Sequence, residues 1–128
     1  MAHLGKYWTA EYAVQTAKWA MEVNGGLGTL HEFPVERWLR EAMILSIWEG
    51  TPHRQILDGL EVMEKKGAHN LLLNHLKPFS DAAEIRDWEQ RIEEHLGLPQ
   101  GDKEAKAESL FSDLAAFTAD KLFVKLFS

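Results

Sequence analysis

The chain has no cysteine. That excludes a disulfide framework, a thiolate nucleophile and any thiolate metal site, and it fits a reducing compartment, so a cytoplasmic location is expected. No apolar run approaches the roughly 18 residues needed to span a bilayer. The start lacks the charged, apolar, small-residue order of a secretory leader. Neither an anchor nor a signal is therefore expected. Excess positive charge is also missing: 14 Lys and Arg stand against 20 Asp and Glu, and the acidic excess is present in both halves of the chain. The electrostatic footprint of a phosphate-backbone binder is absent, so nucleic acid is not an expected partner. Sustained alternation with strand chemistry is lacking as well.

What is present is helical. With 128 residues, 45% of them hydrophobic, the chain can bury a real core as one folded unit. A first helix is predicted over about Leu4–Val23. Its polar stripe is narrow (Glu11, Gln15, Lys18, Glu22), with Ala10, Ala13, Ala17 and Ala20 on one flank and Trp8, Tyr12 and Trp19 on the other. A helix apolar over so wide an arc must touch more than one neighbour. The aromatics are expected to fill core rather than stack on a ligand. Asn24-Gly25-Gly26-Leu27-Gly28 ends this helix and opens a loop through Phe33. Pro34 suits the first turn of a second helix reaching about Trp48, with Val35, Trp38, Leu39, Ala42, Met43, Leu45 and Ile47 as its apolar set. Thr51-Pro52 starts a third, which stops near Gly67. A short helix over His69–Leu76 follows, then one opened by Asp81 and Glu84 as a capping box, with Ser80 the competing cap. Gly97 and Pro99 end that helix. Leu98–Gly101 reads as a linker before a last helix beginning after Asp102, where Lys121 and Lys125 suit the C-terminal dipole.

The six histidines do not form a metalloprotease pair, and His69 and His75 fall on different helix faces, so ordinary surface or interface histidines are expected and no metal. The glycine run follows a helix and lacks the dinucleotide-fold spacing. A helix cap and a turn account for two of its three glycines. The third suggests backbone N–H groups approaching an anion such as a pyrophosphate.

The sharpest chemical signal is Trp48-Glu49-Gly50-Thr51-Pro52. It sets a carboxylate at a joint between two helices, with an aromatic to exclude water on one side and a glycine leaving the other side open. That suits a general base acting on a weakly acidic C–H bond. The competing reading is a solvated residue in an ordinary helix–helix turn.

Five pieces in order resemble the C-terminal helical domain of acyl-CoA dehydrogenases. They are Ala20-Met21-Glu22-Val23, Gly25-Gly26-Leu27-Gly28, Glu32-Phe33-Pro34-Val35-Glu36-Arg37, Arg40-Glu41-Ala42 and Ile47-Trp48-Glu49-Gly50-Thr51. Glu22 and Ser46–Gly50 are closest to the branch that includes AidB. The resemblance implies an all-α fold: part of the family's C-terminal four-helix bundle over residues 1–66, and a helical extension over 67–128 packing on the same core. It implies FAD as cofactor of the complete enzyme, absent from this chain alone, and an acyl-CoA thioester as substrate. Glu49 would be the catalytic base and Gly50 a substrate contact. Gly25 and Gly26 would lie along the FAD of a neighbouring subunit, with Thr51 near an FAD phosphate. Glu22 departs from the pattern, standing where many members place Gln toward FAD, as do His53 and Thr29. The chain alone is expected to be inactive and to self-associate as a homo-oligomer. A stand-alone helical association module without catalytic activity is the alternative.

Overall fold

The computed structural model describes the backbone of residues 1–127 and the side chains of residues 1–123; its regular structure is helical, with no strand among the described residues. The helices are α1 (Ala2–Asn24), α2 (Pro34–Ile47), α3 (Pro52–Lys66), α4 (Ala68–Leu76), α5 (Ala82–Leu96) and α6 (Gln100–Phe127). Gly25–Thr29 and Lys77–Phe79 form 3-10 turns.

Local chemistry sets most ends. Pro34 and Pro52 open α2 and α3, where the missing N–H costs nothing. Gly67 closes α3 in the left-handed conformation, with φ 58°. Asp81 and Glu84 form the predicted capping box of α5, Glu84 Oε2 accepting from the Asp81 N–H at 2.8 Å. Asp81, not Ser80, is thus the cap. The last helix begins earlier than predicted, at Gln100, because the Pro99 carbonyl already accepts the Lys103 N–H at 2.9 Å. Nor does Lys121 face a C-terminus: it pairs with Glu84 at 2.8 Å and lies over the Phe117 ring, and α6 runs on. The Lys125 side chain lies outside the described residues.

One apolar cluster holds the chain together. It takes Leu4 and Tyr7 from α1, Ile56, Leu60 and Met63 from α3, Leu72, Leu73 and Leu76 from α4, Ile85, Trp88 and Ile92 from α5, and Phe111 and Leu114 among others from α6. Burying each such large side chain contributes about 1.5–3 kcal/mol. Phe111 lies so close over Gly59 that a Cβ there would stand 2.2 Å from its ring. Around the rim, Glu64 pairs with Lys103, and Arg91 pairs with Asp113 while lying over the Trp88 ring. These tie α6 to α3 and α5.

α2 contributes nothing to this cluster. It packs on α1 and the first 3-10 turn, and what α1 and α2 bury outside the cluster is small: Ala10 and Ala17, Val35 and Ala42. Most of the apolar set predicted for α2 is exposed, Trp38, Met43, Leu45 and Ile47 among it, together with Ile44. Tyr12 and Trp19 of α1 are likewise about half exposed instead of filling core; Tyr12 stacks on Trp8 and meets Trp19 edge to face.

Candidate functional site

The joint between α2 and α3 is where the backbone does something costly. The Trp48 N–H still reaches the Ile44 carbonyl at 2.8 Å. The chain then turns through two residues of positive φ, Glu49 at 55° and Gly50 at 106°. Glu49 is the one non-glycine residue with positive φ among those described. Holding a side-chain-bearing residue there costs about 1–2 kcal/mol. Thr51 then caps α3, its hydroxyl accepting the Arg54 N–H at 3.4 Å.

Two side chains from other positions fix this turn. Lys6 Nζ donates to the carbonyls of Leu45 (2.9 Å), Gly50 (3.1 Å) and Ser46 (3.4 Å), meeting the negative end of α2 and the joint at once. Buried Gln55 donates from Nε2 to the Glu49 carbonyl at 2.9 Å, and its Oε1 lies 3.0 Å from His3 Nδ1. The Glu49 carboxylate itself is exposed, with no hydrogen-bonding or ion-pairing partner among the described residues. No main-chain acceptor takes its N–H there either. Trp48 does not exclude water from it: the indole is 65% exposed.

The glycine run has a different geometry from the loop predicted for it, a 3-10 turn whose glycines are not equivalent. Gly25 has φ 58° and donates its N–H to the Glu22 carbonyl. Gly28 is buried, and a Cβ on it would stand 2.7 Å from the Met21 carbonyl oxygen. Gly26 has neither a positive φ nor anything within 4 Å of a Cβ position. It is the surplus glycine. Glu22 beside it is exposed and lies 3.8 Å from Lys18. The turn and the joint are not brought together, because the 14 residues of α2, about 21 Å of helix, lie between them.

Sequence reasoning missed Lys6, Gln55 and His3. A signal existed for Lys6, which lies one and two heptads before Ala13 and Ala20, a charge in line with the small-residue strip. Two histidines also differ from expectation. His69 and His95 are buried, with His69 Nδ1 and His95 Nε2 unpartnered among the described residues, and burial pushes both below the ordinary imidazole range. Among the described residues no group of three metal-ligating side chains exists, and no helix is long and apolar enough to cross a membrane.

Fold and joint together define a helical bundle module with a carboxylate-bearing turn and an uncovered apolar face. Residues 1–63 match the family model for the C-terminal domain of acyl-CoA dehydrogenases, and this part of the chain belongs to that family. An acyl-CoA dehydrogenase of Bacillus subtilis is 39% identical over 56 residues, 44% of this chain and 15% of the relative. AidB of Escherichia coli is 44% identical over 54 residues, 41% of this chain and 10% of the relative. A 3-(aryl)acrylate reductase of Clostridium sporogenes is 35% identical over 54 residues, 42% of this chain and 14% of the relative. The chain thus spans a small fraction of the length of these relatives. No solved structure matches it.

Proposed function

We propose that this chain supplies the catalytic base and part of the flavin site of an FAD-dependent acyl-CoA dehydrogenase. The observation behind this is Glu49: a carboxylate without a partner among the described residues, carried by a residue held at a positive φ that glycine would take at less cost. Glu49 removes the α-proton of the thioester. Its own N–H, free of a main-chain acceptor among the described residues, donates to the thioester carbonyl oxygen, where negative charge develops as the C–H bond breaks. Gly50 would meet the substrate through its main chain, since the space a side chain would take there is filled by Gln55 and Arg54. A flavin held there would supply the acceptor for the β-hydrogen as hydride.

The residues present fit such a cofactor. Thr51 stands at the N-terminus of the 15-residue α3, whose first N–H groups and dipole favour a phosphate. Gly25 and Gly26 present backbone in open space. Lys18 offsets the carboxylate of Glu22, which would otherwise repel a pyrophosphate. The length of α2 between turn and joint is compatible with the two serving different flavins, the glycines reaching one on a neighbouring subunit.

The rest of the flavin pocket and the acyl cleft would come from segments beyond this chain, which alone should be colourless and inactive. The test joins the chain to its upstream coding region. Glu49→Gln should abolish dehydrogenation with FAD still bound, and normal turnover in that variant would place the base elsewhere. A second reading, a helical association module, is favoured by the exposed row Ile44, Leu45, Ile47 and Trp48. It would be upheld if the joined protein bound no flavin.

A further inference from the structure

We infer that Lys6, with the Gln55–His3 pair behind the turn, is a positioning device that holds Glu49 in its left-handed conformation and keeps its carboxylate unpaired. This rests on the reading of Glu49 as the base.

The argument begins with cost. A glycine at position 49 would take φ 55° freely, and a glycine stands one residue later. The chain instead places a carboxylate in the strained seat, so other contacts must hold it there. They come from both sides. Lys6 spends its donors on Leu45 and Ser46 before Glu49 and on Gly50 after it. Gln55 takes the carbonyl of Glu49 itself. With Gln55 Nε2 donating there, its Oε1 is the acceptor, so His3 presents Nδ1–H and fixes which way the amide faces. Gly50 is part of the same device: a Cβ on it would stand 2.9 Å from Gln55 Nε2 and push the amide away.

Lys6 also acts through what it does not touch. Its ammonium binds main-chain carbonyls and no carboxylate lies within ion-pair distance among the described residues. An ammonium paired directly with Glu49 would make the carboxylate a weaker base. Bound to carbonyls, the same charge anchors the turn and leaves the carboxylate free.

The test uses the full chain and two substitutions that keep side-chain volume, Lys6→Met and Gln55→Met, with Lys6→Arg as the conservative control. Scalar couplings and chemical shifts at Glu49 report its φ by NMR, and circular dichroism reports folding. The expected result is that Lys6→Met moves Glu49 off left-handed values with helix content unchanged, and that Lys6→Arg restores them. Should Lys6→Met fail to fold, Gln55→Met decides by the same couplings. Left-handed values that persist in the folded variants would overturn the inference. In the flavoenzyme, Lys6→Met should lower kcat about 10–100-fold with KM for acyl-CoA unchanged, the scale of a misplaced reacting group. An unchanged kcat with a moved Glu49 would reduce Lys6 to a helix cap and also overturn it. The two readings fail separately. Normal turnover in Glu49→Gln removes the base while the couplings still test the clamp; an unmoved Glu49 in Lys6→Met removes the clamp whatever Glu49→Gln does.

Discussion

Gly26 and Gly28 look alike in the sequence and differ in what a methyl group would meet. At Gly28 the added Cβ runs into the main chain of Met21, so Gly28→Ala should cost about 1–3 kcal/mol by overpacking. At Gly26 nothing is in the way, so Gly26→Ala should leave stability within about 0.5 kcal/mol. Thermal denaturation of the chain separates the two, and a large loss from Gly26→Ala would mean that the glycine serves the fold. If it serves a dinucleotide, that variant should instead lose flavin in the joined enzyme at unchanged stability. Buried His69 and His95 carry a second prediction. Burial lowers both folded pKa values below the unfolded value of about 6.5, so the unfolded chain binds protons first. Stability should be full above pH 6.5 and fall on acidification as the pH drops through the folded values. Denaturation midpoints against pH, with His69→Gln and His95→Gln to flatten the slope, check this; a flat profile in the parent chain would contradict it. At this scale the sequence made the position of Glu49 legible, because its neighbours form a motif. Its φ was not legible, since the contacts that fix it come from Lys6 and Gln55, the first of them more than 40 residues away in the chain.

Elements whose ends are set by their own residues were readable. Proline at first turns, glycine at Gly67 and the Asp81–Glu84 box need no tertiary contact to act. The box invites measurement: Asp81→Ala removes one side of it and should cost about 1 kcal/mol. That corresponds to a fall in Tm of about 3–6 °C for a chain this size. No change in Tm would show the cap to be redundant with the tertiary contacts of α5. What periodicity did not reveal was the fate of α2. A stripe of Trp38, Leu39, Met43, Leu45 and Ile47 reads the same whether a neighbour covers it or not, and here the stripe is largely bare. The start of α6 was misplaced for a related reason. Gly101 looks like a breaker, yet the N–H groups of a first turn have no intrahelical partner to lose, and the Pro99 carbonyl had already begun the helix. The fit of α6 on α3 was equally invisible, because the space over Gly59 exists only once Phe111 occupies it.

The whole molecule is lopsided. Its large buried side chains gather where α3 to α6 meet the start of α1, while the rest of α1 and the outer face of α2 carry Tyr12, Trp19, Trp38, Ile44, Leu45, Ile47 and Trp48, each about half exposed or more. An uncovered apolar surface of that extent is uncommon on a solitary soluble chain and marks a contact. The core does not depend on it, since α2 contributes no member to the central cluster. Fold and association should therefore separate. Ile44→Lys with Ile47→Lys alters two exposed positions, where substitutions usually change stability by about 0.5 kcal/mol or less. Sedimentation of the parent chain should show species larger than a monomer at high micromolar concentration. The double variant should shift toward monomer with its circular dichroism unchanged. A parent chain that stays a sharp monomer across that range would mean that this face meets only segments beyond the chain. A double variant that unfolds would mean that the face belongs to the core after all.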